Sequence, residues 1–326
     1  MRAFIIRRLL LVIPTIFLVT ILVFFIIRLI PGDIIDQMLR ERMFLTAEDR
    51  AILEQALGLD VPVLEQYGRW IGVVRDADGN FNGLLQGSLG DSLYRQTPVL
   101  DEIVGRLPVT VELGFLSMLI LLIISMPIGI YSAIRQDSLG DYVGRSFATV
   151  LIALPSFWVG LMIILIASLW LGLSPEIKPI SFIEHPMRNL GQFIIPSFVL
   201  AMAGAGTNMR MVRSMMLEVL RQDYIRTAWA KGLKERVIII RHTLKNALIP
   251  VVTTLGIMLR FMVGGTIIIE RVFSLPGLGH LLVESTLRRD YTIVSGIIFC
   301  FAGFMVLVNL AVDLTYGYLD PRIHSL

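Results

Sequence analysis

Residues 223–250 read DYIRTAWAKGLKERVIIIRHTLKNALIP and lie between the fourth and fifth of six hydrophobic stretches. Two short helical patterns flank Gly232. The second has apolar residues at steps of three or four, namely Leu233, Val237, Ile240, Leu244 and Leu248. Glycine adopts a left-handed backbone without steric cost, so we predict two helices that join at Gly232. A structured element of this kind, placed between hydrophobic stretches, indicates a surface on which something docks.

The six hydrophobic stretches are each about as long as a helix that crosses a bilayer, which takes roughly 20 apolar residues. The uncharged windows are 9–27, 113–134, 146–175, 189–209 and 291–312, and the window 246–269 is interrupted only by Arg260. The composition is 55% hydrophobic and 17% charged, which is typical of membrane proteins. We therefore expect an all-α integral membrane protein with six transmembrane helices, in which Pro127, Pro155 and Pro196 kink their spans.

The distribution of charge predicts the orientation of these helices. Residues 210–245 hold nine Lys/Arg and three acidic residues, and the N-terminus is rich in arginine. The loop 31–105 holds six Arg and thirteen Asp/Glu. The positive-inside rule places residues 223–250 and both termini in the cytoplasm and the loop outside. The window 9–27 is too long for the apolar core of a cleaved signal peptide, so we expect a retained anchor.

No catalytic or nucleotide-binding motif occurs in the sequence. It contains no phosphate-binding loop of the type Gly-x-x-x-x-Gly-Lys-Ser/Thr, no His-Glu-x-x-His and no Gly-x-Ser-x-Gly. The single cysteine, Cys300, lies in an apolar span and is interpreted as a packed hydrophobic residue. The net charge of +3 is small and indicates basic residues beside the membrane, not a nucleic-acid surface. We predict a non-catalytic chain that holds no cofactor and no metal of its own.

The segment 223–250 resembles the coupling loop, or EAA motif, of permease subunits in ATP-binding-cassette (ABC) importers. Thr227, Ala228, Gly232, His242 and Leu244 stand at the motif positions. The segments Thr-Ala-x-Ala-Lys-Gly at 227–232 and His-x-Leu-Lys-Asn-Ala at 242–247 are similar to the corresponding motifs of the family's dipeptide/oligopeptide/nickel branch. Further matches follow in the family's order: Leu29-Ile30-Pro31-Gly32-Asp33, Gly90-Asp91-Ser92-Leu93, Arg106-Leu107-Pro108, Glu270-Arg271-Val272-Phe273-Ser274, Pro276-Gly277-Leu278-Gly279, Arg289-Asp290-Tyr291 and Leu319-Asp320-Pro321-Arg322.

This resemblance implies the type I ABC importer permease fold, with a long extracytoplasmic loop after the first helix. The expected organisation is an anchor helix at 1–30, the loop at 31–105, the permease domain at 106–316 with its coupling loop at 223–250, and a cytoplasmic tail at 317–326. The implied location is the bacterial or archaeal cell membrane. The cargo would be dipeptides or oligopeptides, with nickel complexes, glutathione and oligosaccharides as alternatives.

The resemblance also implies the partners of the chain. They are a second homologous permease, two cytoplasmic ATP-binding subunits that hold ATP and magnesium, an extracytoplasmic substrate-binding protein and membrane lipid. The residues expected to couple to the ATPase are Arg226, Thr227, Ala228, Trp229, Ala230, Lys231, Gly232, Leu233, His242 and Leu244. We expect small residues to permit close approach, Trp229, Ile225 and Leu233 to anchor the contact, and Arg226, Lys231 and Lys234 to meet an acidic rim.

Several alternatives remain open from the sequence. The basic segment 223–250 also fits an amphipathic helix that lies on anionic lipid. Arg260, near the middle of the fifth span, is either a residue of the transport pathway or a buried partner of Glu112 or Asp313. The outer loop, with a predicted helix at 46–57, is either a packed cap or a docking surface. Rival functions are an ion-coupled secondary transporter, which usually shows an internal repeat, and a membrane-embedded enzyme.

Overall fold

A computed structural model describes residues 2–28, 54, 58–75, 79–173 and 178–319. Within these ranges the regular structure is helical, and the one bridge between extended segments joins Asp91 to Pro98. The predicted all-α fold is confirmed. The helix predicted at 46–57 lies outside the described residues apart from Glu54, and the turn predicted at 76–80 is described only at its last two positions.

The described helices follow the chain in this order. They are α1 (Arg2–Arg28), α2 (Val63–Ile71), α3 (Val99–Ile134), α4 (Leu139–Ala153), α5 (Ser156–Leu171), α6 (Pro186–Leu220), α7 (Asp223–Ala230), α8 (Glu235–Val237), α9 (Lys245–Val272), α10 (Leu278–Leu287) and α11 (Tyr291–Leu319). A 3₁₀ turn covers Leu84–Gln86, and a π-helix, Ile238–Leu244, connects α8 to α9.

The apolar helices lie where the hydrophobic windows predicted them. Among the described residues, four helices are long and apolar enough to cross a membrane: α3, α6, α9 within Pro250–Val272, and α11 within Tyr291–Val312. A shorter apolar stretch, Leu10–Ile26, lies in α1. The third predicted window is divided between α4 and α5, which meet at an angle of 91°. The count of six crossings stays a prediction.

The break between α4 and α5 follows from Pro155. Leu154, the residue before it, has an extended backbone with φ −88° and ψ 125°. Steric contact with the proline ring disfavours the helical conformation at the preceding residue. Proline also has no N–H to donate to the helical ladder. The predicted kink is therefore a complete break, and residues 146–175 do not form one straight helix.

The structure divides into two compact units, and the described residues of the larger one fall within 2–6, 109–276 and 307–319. Its centre is α6, which packs against α4 and α9. A β-carbon at Gly206 would lie 2.6 Å from the backbone oxygen of Ala148, so glycine permits the close approach of α6 to α4. A buried cluster on α3, α4, α6 and α9 surrounds this contact: Leu121, Ala148, Leu151, Ala201, Met202, Ala205, Met209, Met258 and Met262.

Polar contacts also fix α6 within this unit. Arg213 donates from Nε and Nη2 to the two carboxylate oxygens of Asp141 at 2.8 and 2.7 Å, which joins α6 to the first turn of α4. Asp141 is fully buried. Asn208 donates to the hydroxyl of Ser125 on α3 at 2.7 Å. These bonds set the position of α6 along its neighbours as well as its packing distance.

The second unit contains residues 7–108 and 277–306. In it α2 packs on α1 through the aromatic rings of Phe24, Tyr67 and Trp70. Tyr67 shares a hydrogen bond of 2.9 Å with Thr20 on α1. Arg28 stacks over Phe24 and donates to Gln66, so this charge at the end of the first span pairs locally.

The loop between Gly90 and Pro98 is held in the same unit by Asp290. This buried carboxylate accepts from the hydroxyl of Ser92 and from the backbone N–H groups of Leu93 and Tyr94. The segments Gly90–Leu93 and Arg289–Tyr291, which both carry the family resemblance, therefore meet in space.

Candidate functional site

The turn at Gly232 has the geometry that the sequence predicts. Gly232 has φ +74°, in the left-handed region, and directly follows Lys231, which caps α7. Its N–H donates to the backbone oxygen of Trp229, and the N–H of Leu233 donates to that of Ala228. This pair of bonds is the Schellman arrangement, which satisfies the last carbonyl groups of a helix. The prediction of two helical segments joined at Gly232 is confirmed.

The inner side of α7 packs against the helical segment that follows it. Ile225 and Ala228 on α7 are buried together with Ile238, and Leu220 borders this cluster. Tyr224 adds a polar contact, because its hydroxyl accepts from Asn246 at 2.8 Å. Ile225, which the sequence suggested as an anchor for a partner, is fully buried within the chain. Ala228 likewise lies on the inner side of α7 and is buried.

A π-helix replaces the expected α-helix between Ile238 and Leu244. The buried residues here are Ile238, Thr243, Ala247 and Val251, with a first step of five and later steps of four. A π-helix has a five-residue hydrogen-bond period, and the wider turn accounts for this step. The predicted apolar stripe consequently divides. Leu244 and Leu248 pack against the buried cluster of α3, α6 and α9, whereas the earlier members remain exposed.

The exposed members define the surface that this segment offers to a partner. We use the name coupling surface for Trp229, Leu233, Val237 and Ile240, whose exposed fractions are 48, 37, 37 and 52%. Basic side chains around it are also exposed: Arg226, Lys231, Lys234, Arg236, Arg241 and Lys245. Arg226 contacts Asp223 at 3.4 Å, but both side chains are solvated, so this pair adds little stability. The surface combines apolar side chains with a positive rim.

The remaining predicted coupling residues have structural contacts of their own. The hydroxyl of Thr227 donates to the backbone oxygen of Asp223 one turn earlier. The backbone oxygen of His242 accepts from Asn246 at 3.2 Å, and its side chain is half-buried. Ala230 is exposed. The structure thus brings the predicted residues into one element, with Ala228 and Leu244 turned towards the chain and Trp229, Lys231 and Leu233 towards solvent.

Arg260 lies on α9, apart from the coupling segment. It is half-buried, and its Nε atom is buried with no hydrogen-bond partner among the described residues. Glu112, one of the two acidic partners suggested by the sequence, is hydrogen-bonded to Asn189 on α6 instead. The side chain of Asp313, the other suggested partner, lies outside the described part of the structure.

Sequence reasoning did not find two of the buried polar contacts in the larger unit. Asp141 and Arg213 are 72 positions apart, and Thr110 donates to the fully buried Glu270 over 160 positions. A single sequence gives no signal for which of several charged residues meet across such distances. The sequence shows which residues are charged, but it does not show which residue each of them contacts.

Comparisons with known proteins agree with this architecture. Residues 125–325 match the family described as binding-protein-dependent transport system inner membrane component, and residues 1–114 match the N-terminal family of the same membrane components. The chain is 38% identical over 327 residues to the oligopeptide transport system permease protein AppB of Bacillus subtilis (strain 168). It is 37% identical over 346 residues to the dipeptide transport system permease protein DppB of Escherichia coli (strain K12). Each alignment covers 99% of both proteins.

A solved structure shares the fold. An inward-facing structure of the MetNI methionine ABC transporter contains a chain that aligns with a TM-score of 0.54 and 18% identity. The alignment covers 67% of the present chain and 96% of the other. At this identity the likeness extends to the fold alone.

Proposed function

This chain belongs to the family of inner membrane components of binding-protein-dependent transport systems, and we infer that it is a permease subunit of a peptide ABC importer. Similarity along its whole length to permeases named for oligopeptides and dipeptides carries this conclusion. The apolar helices make it a multi-pass membrane protein. Nickel complexes, glutathione and oligosaccharides are the alternative cargoes for the same role.

We propose that the coupling surface is the docking site for an ATPase subunit. Its exposed aromatic and aliphatic side chains provide the apolar centre, and the surrounding Arg and Lys side chains provide a rim that favours an acidic groove. Basic residues at such a rim mainly accelerate and orient association, whereas the apolar centre supplies affinity. The hydrogen bonds of the helical cap at Gly232 hold α7 and the helical segment that follows it in a fixed arrangement.

The packing of α7 supports a mechanical role for this element. Ile225, Ala228 and Ile238 fasten α7 to the π-helix, and the Tyr224–Asn246 bond fastens it to the start of α9. The backbone continues in helical conformation from Leu244 into α9. A displacement of α7 is therefore passed to a membrane helix instead of being absorbed by a loose linker. Nucleotide shifts the transporter between states only through contacts that differ between them, and we propose that the contacts between the coupling surface and the ATPase are of this kind.

The rest of the assembly follows from this proposal. The chain forms half of the translocation pathway with a second, homologous permease. Two cytoplasmic subunits bind ATP and magnesium and carry out hydrolysis, and an extracytoplasmic protein delivers the peptide. Residues 223–250 and both termini face the cytoplasm, and residues 31–105 face the outside, as the charge distribution favours. The present chain binds no nucleotide and catalyses no reaction.

A pair of glycine variants tests the proposal. Gly232 and Gly172 both have positive φ, +74° and +62°, and a β-carbon at either would meet no atom within 4 Å. Proline fixes φ near −65°, so Gly232→Pro and Gly172→Pro impose the same conflict at two helix ends. We expect Gly232→Pro to reduce the peptide transported per ATP hydrolysed in proteoliposomes of the complete complex. Gly172→Pro, at the end of α5, should keep that ratio near the wild-type value.

Cross-linking distinguishes docking on protein from docking on lipid. A cysteine at Trp229 or Leu233 should form a disulfide with an ATPase subunit that carries cysteines around its groove, in a background in which Cys300 is replaced. Cross-links only to lipid, together with normal transport by Gly232→Pro, would refute the docking role. Uptake of nickel or sugar without uptake of labelled peptide would refute the peptide cargo but not the permease role.

A further inference from the structure

Arg260 lies near the middle of a membrane-crossing helix. The span in α9 covers Pro250–Val272, so Arg260 is 10 residues from its first residue and 12 from its last. At a rise of about 1.5 Å per residue these separations are roughly 15 and 18 Å. An arginine side chain near a helix end can extend its charge to the lipid headgroups, but one at this depth is too far from either interface. The charge must therefore be accommodated within the membrane.

The described residues of the larger unit supply little to balance this charge, and the side chain of Asp313 lies outside them. The Nε atom is buried without a hydrogen-bond partner, and among the described residues no carboxylate forms an ion pair with this guanidinium. Glu112 is hydrogen-bonded to Asn189 on α6, and its Oε1 atom has no hydrogen-bond partner among the described residues, so it does not pair with Arg260. A guanidinium carries five N–H donors in a fixed fork that fits a carboxylate with two parallel bonds. Its open donors therefore favour an oxyanion that arrives from elsewhere.

The surroundings of Arg260 show the direction from which such a group arrives. On one side of α9, Met258 and Met262 are buried in the cluster with α3, α4 and α6. On the other side Ile257 and Phe261 are exposed at 42 and 78%, and a β-carbon at Gly264 would meet no atom within 4 Å. Arg260 is half-buried beside this open stripe. Charged residues within membrane spans face a bundle interior or a water-filled cavity rather than lipid, so this side of α9 belongs to such a cavity.

We propose that Arg260 binds the C-terminal carboxylate of the transported peptide as it passes the middle of the membrane. The proposal rests on the proposed function, because it takes the cargo to be a linear peptide with a free carboxylate. Lipid phosphate is the other common oxyanion of a membrane, but the hydrocarbon core is about 30 Å thick and keeps phosphate roughly 15 Å from its centre. The peptide carboxylate moves along the pathway and reaches this depth.

The test compares two forms of one labelled peptide, with a free C-terminal carboxylate and with a C-terminal amide. Uptake is measured in proteoliposomes of the complete importer containing wild-type permease, Arg260→Gln or Arg260→Lys. The binding protein is the same in all samples, so its preference between the peptides cancels when the uptake ratios are compared. Arg210→Gln, which removes an exposed arginine from α6, is the matched control.

We expect Arg260→Gln to reduce uptake of the carboxylate peptide about tenfold, the scale of one charge-assisted hydrogen bond, and to leave the amide unchanged. Arg260→Lys keeps the charge but not the fork and should be intermediate. Equal loss for both peptides in the Gln variant, or no loss for either, would overturn the proposal. Wild-type importer that takes up neither peptide would instead overturn the peptide cargo, and with it this role.

An independent measurement covers the case in which Arg260→Gln assembles poorly. In a Cys300→Ala background that keeps Arg260, Ile257→Cys, at an exposed position one turn before Arg260, should react with a water-soluble, membrane-impermeant thiol reagent. Excess carboxylate peptide should slow that reaction more than the amide does. A cysteine at exposed Leu139 serves as a control that the peptides should not protect. Absence of reaction of Ile257→Cys in both nucleotide-free and ATP-bound complexes would show that water and cargo do not reach this side of α9, and would overturn the proposal.

Discussion

Replacing Arg213 by methionine should destabilise the membrane domain more than any other single loss of an arginine on α6. Its fork holds both carboxylate oxygens of Asp141, which is fully buried and whose carboxylate also accepts from the backbone N–H of Asp137. Removing one partner of a buried ion pair leaves an uncompensated charge, which costs about 3–5 kcal/mol. We expect Arg213→Met to lower the free energy of unfolding by about that amount.

Replacing Asp141 instead of Arg213 should lower the free energy of unfolding by a smaller amount. The side chain of Arg213 keeps 19% of its surface exposed, whereas that of Asp141 keeps none. A guanidinium released by Asp141→Asn therefore recovers some hydration, and we expect a loss of roughly 2 kcal/mol. In the double variant Asp141→Leu with Arg213→Met no charge is buried, so its stability should lie near that of the wild type.

Reversible unfolding in mixed micelles of dodecyl maltoside and sodium dodecyl sulfate, followed by circular dichroism, measures these differences. Arg210→Met, three residues before Arg213 and exposed, is the matched control and should change stability by less than about 0.5 kcal/mol. Equal effects of the two arginine variants would contradict the reasoning. So would a double variant whose loss equals the sum of the single losses, because the pair would then be energetically uncoupled.

Three further predictions concern packing and hydrogen bonding. Gly206→Ala should lower the free energy of unfolding by about 1–3 kcal/mol, because the added β-carbon meets the backbone of α4. Gly264→Ala, whose added β-carbon meets no atom within 4 Å, should raise it by roughly 0.5–1 kcal/mol. Thermal unfolding of the two variants measures the difference. Asp290→Ala should accelerate hydrogen exchange of the Leu93 and Tyr94 amides, which donate to Asp290, while protection in α11 beyond its first turn is retained. Tyr67→Phe should cost about 0.5–1.5 kcal/mol, since only its bond to α1 is lost, and unchanged stability would contradict a direct bond.

The elements that depend on local rules were predictable from the sequence. The apolar windows located the long helices because membrane crossing demands length and hydrophobicity together. Gly232 marked its turn because the left-handed backbone favours one residue type. Motifs scattered along the chain indicated the family, and the similarity to known members along the whole chain establishes it. Each of these signals lies within a few consecutive residues or in composition.

The features that depend on tertiary contacts were not predictable in the same way. Pro155 predicted a kink in the third span but not its size, since hydropathy shows the apolar residues around it as one continuous span and the structure has a break of 91°. The helix α3 begins at Val99, where charged residues hide its start from a hydropathy window. The π-helix shifts which apolar residues face inward, and a period of 3.6 assigned Val237 and Ile240 to the same stripe as Leu248. Packing against α6 decides that register, and a sequence window contains no information on it.

The two proposed sites lie on one continuous element, and this has a thermodynamic consequence. Lys245 follows directly from the π-helix, and Arg260 lies 15 residues further along α9, about 22 Å at helical rise. A force applied at the coupling surface thus acts on the same helix that carries the proposed carboxylate ligand. Linkage is reciprocal: if nucleotide binding changes the affinity of Arg260 for peptide by some factor, bound peptide changes the affinity for nucleotide by the same factor. The amide peptide, which lacks the charge that Arg260 is proposed to bind, should therefore transmit less of this effect to the ATPase than the carboxylate form.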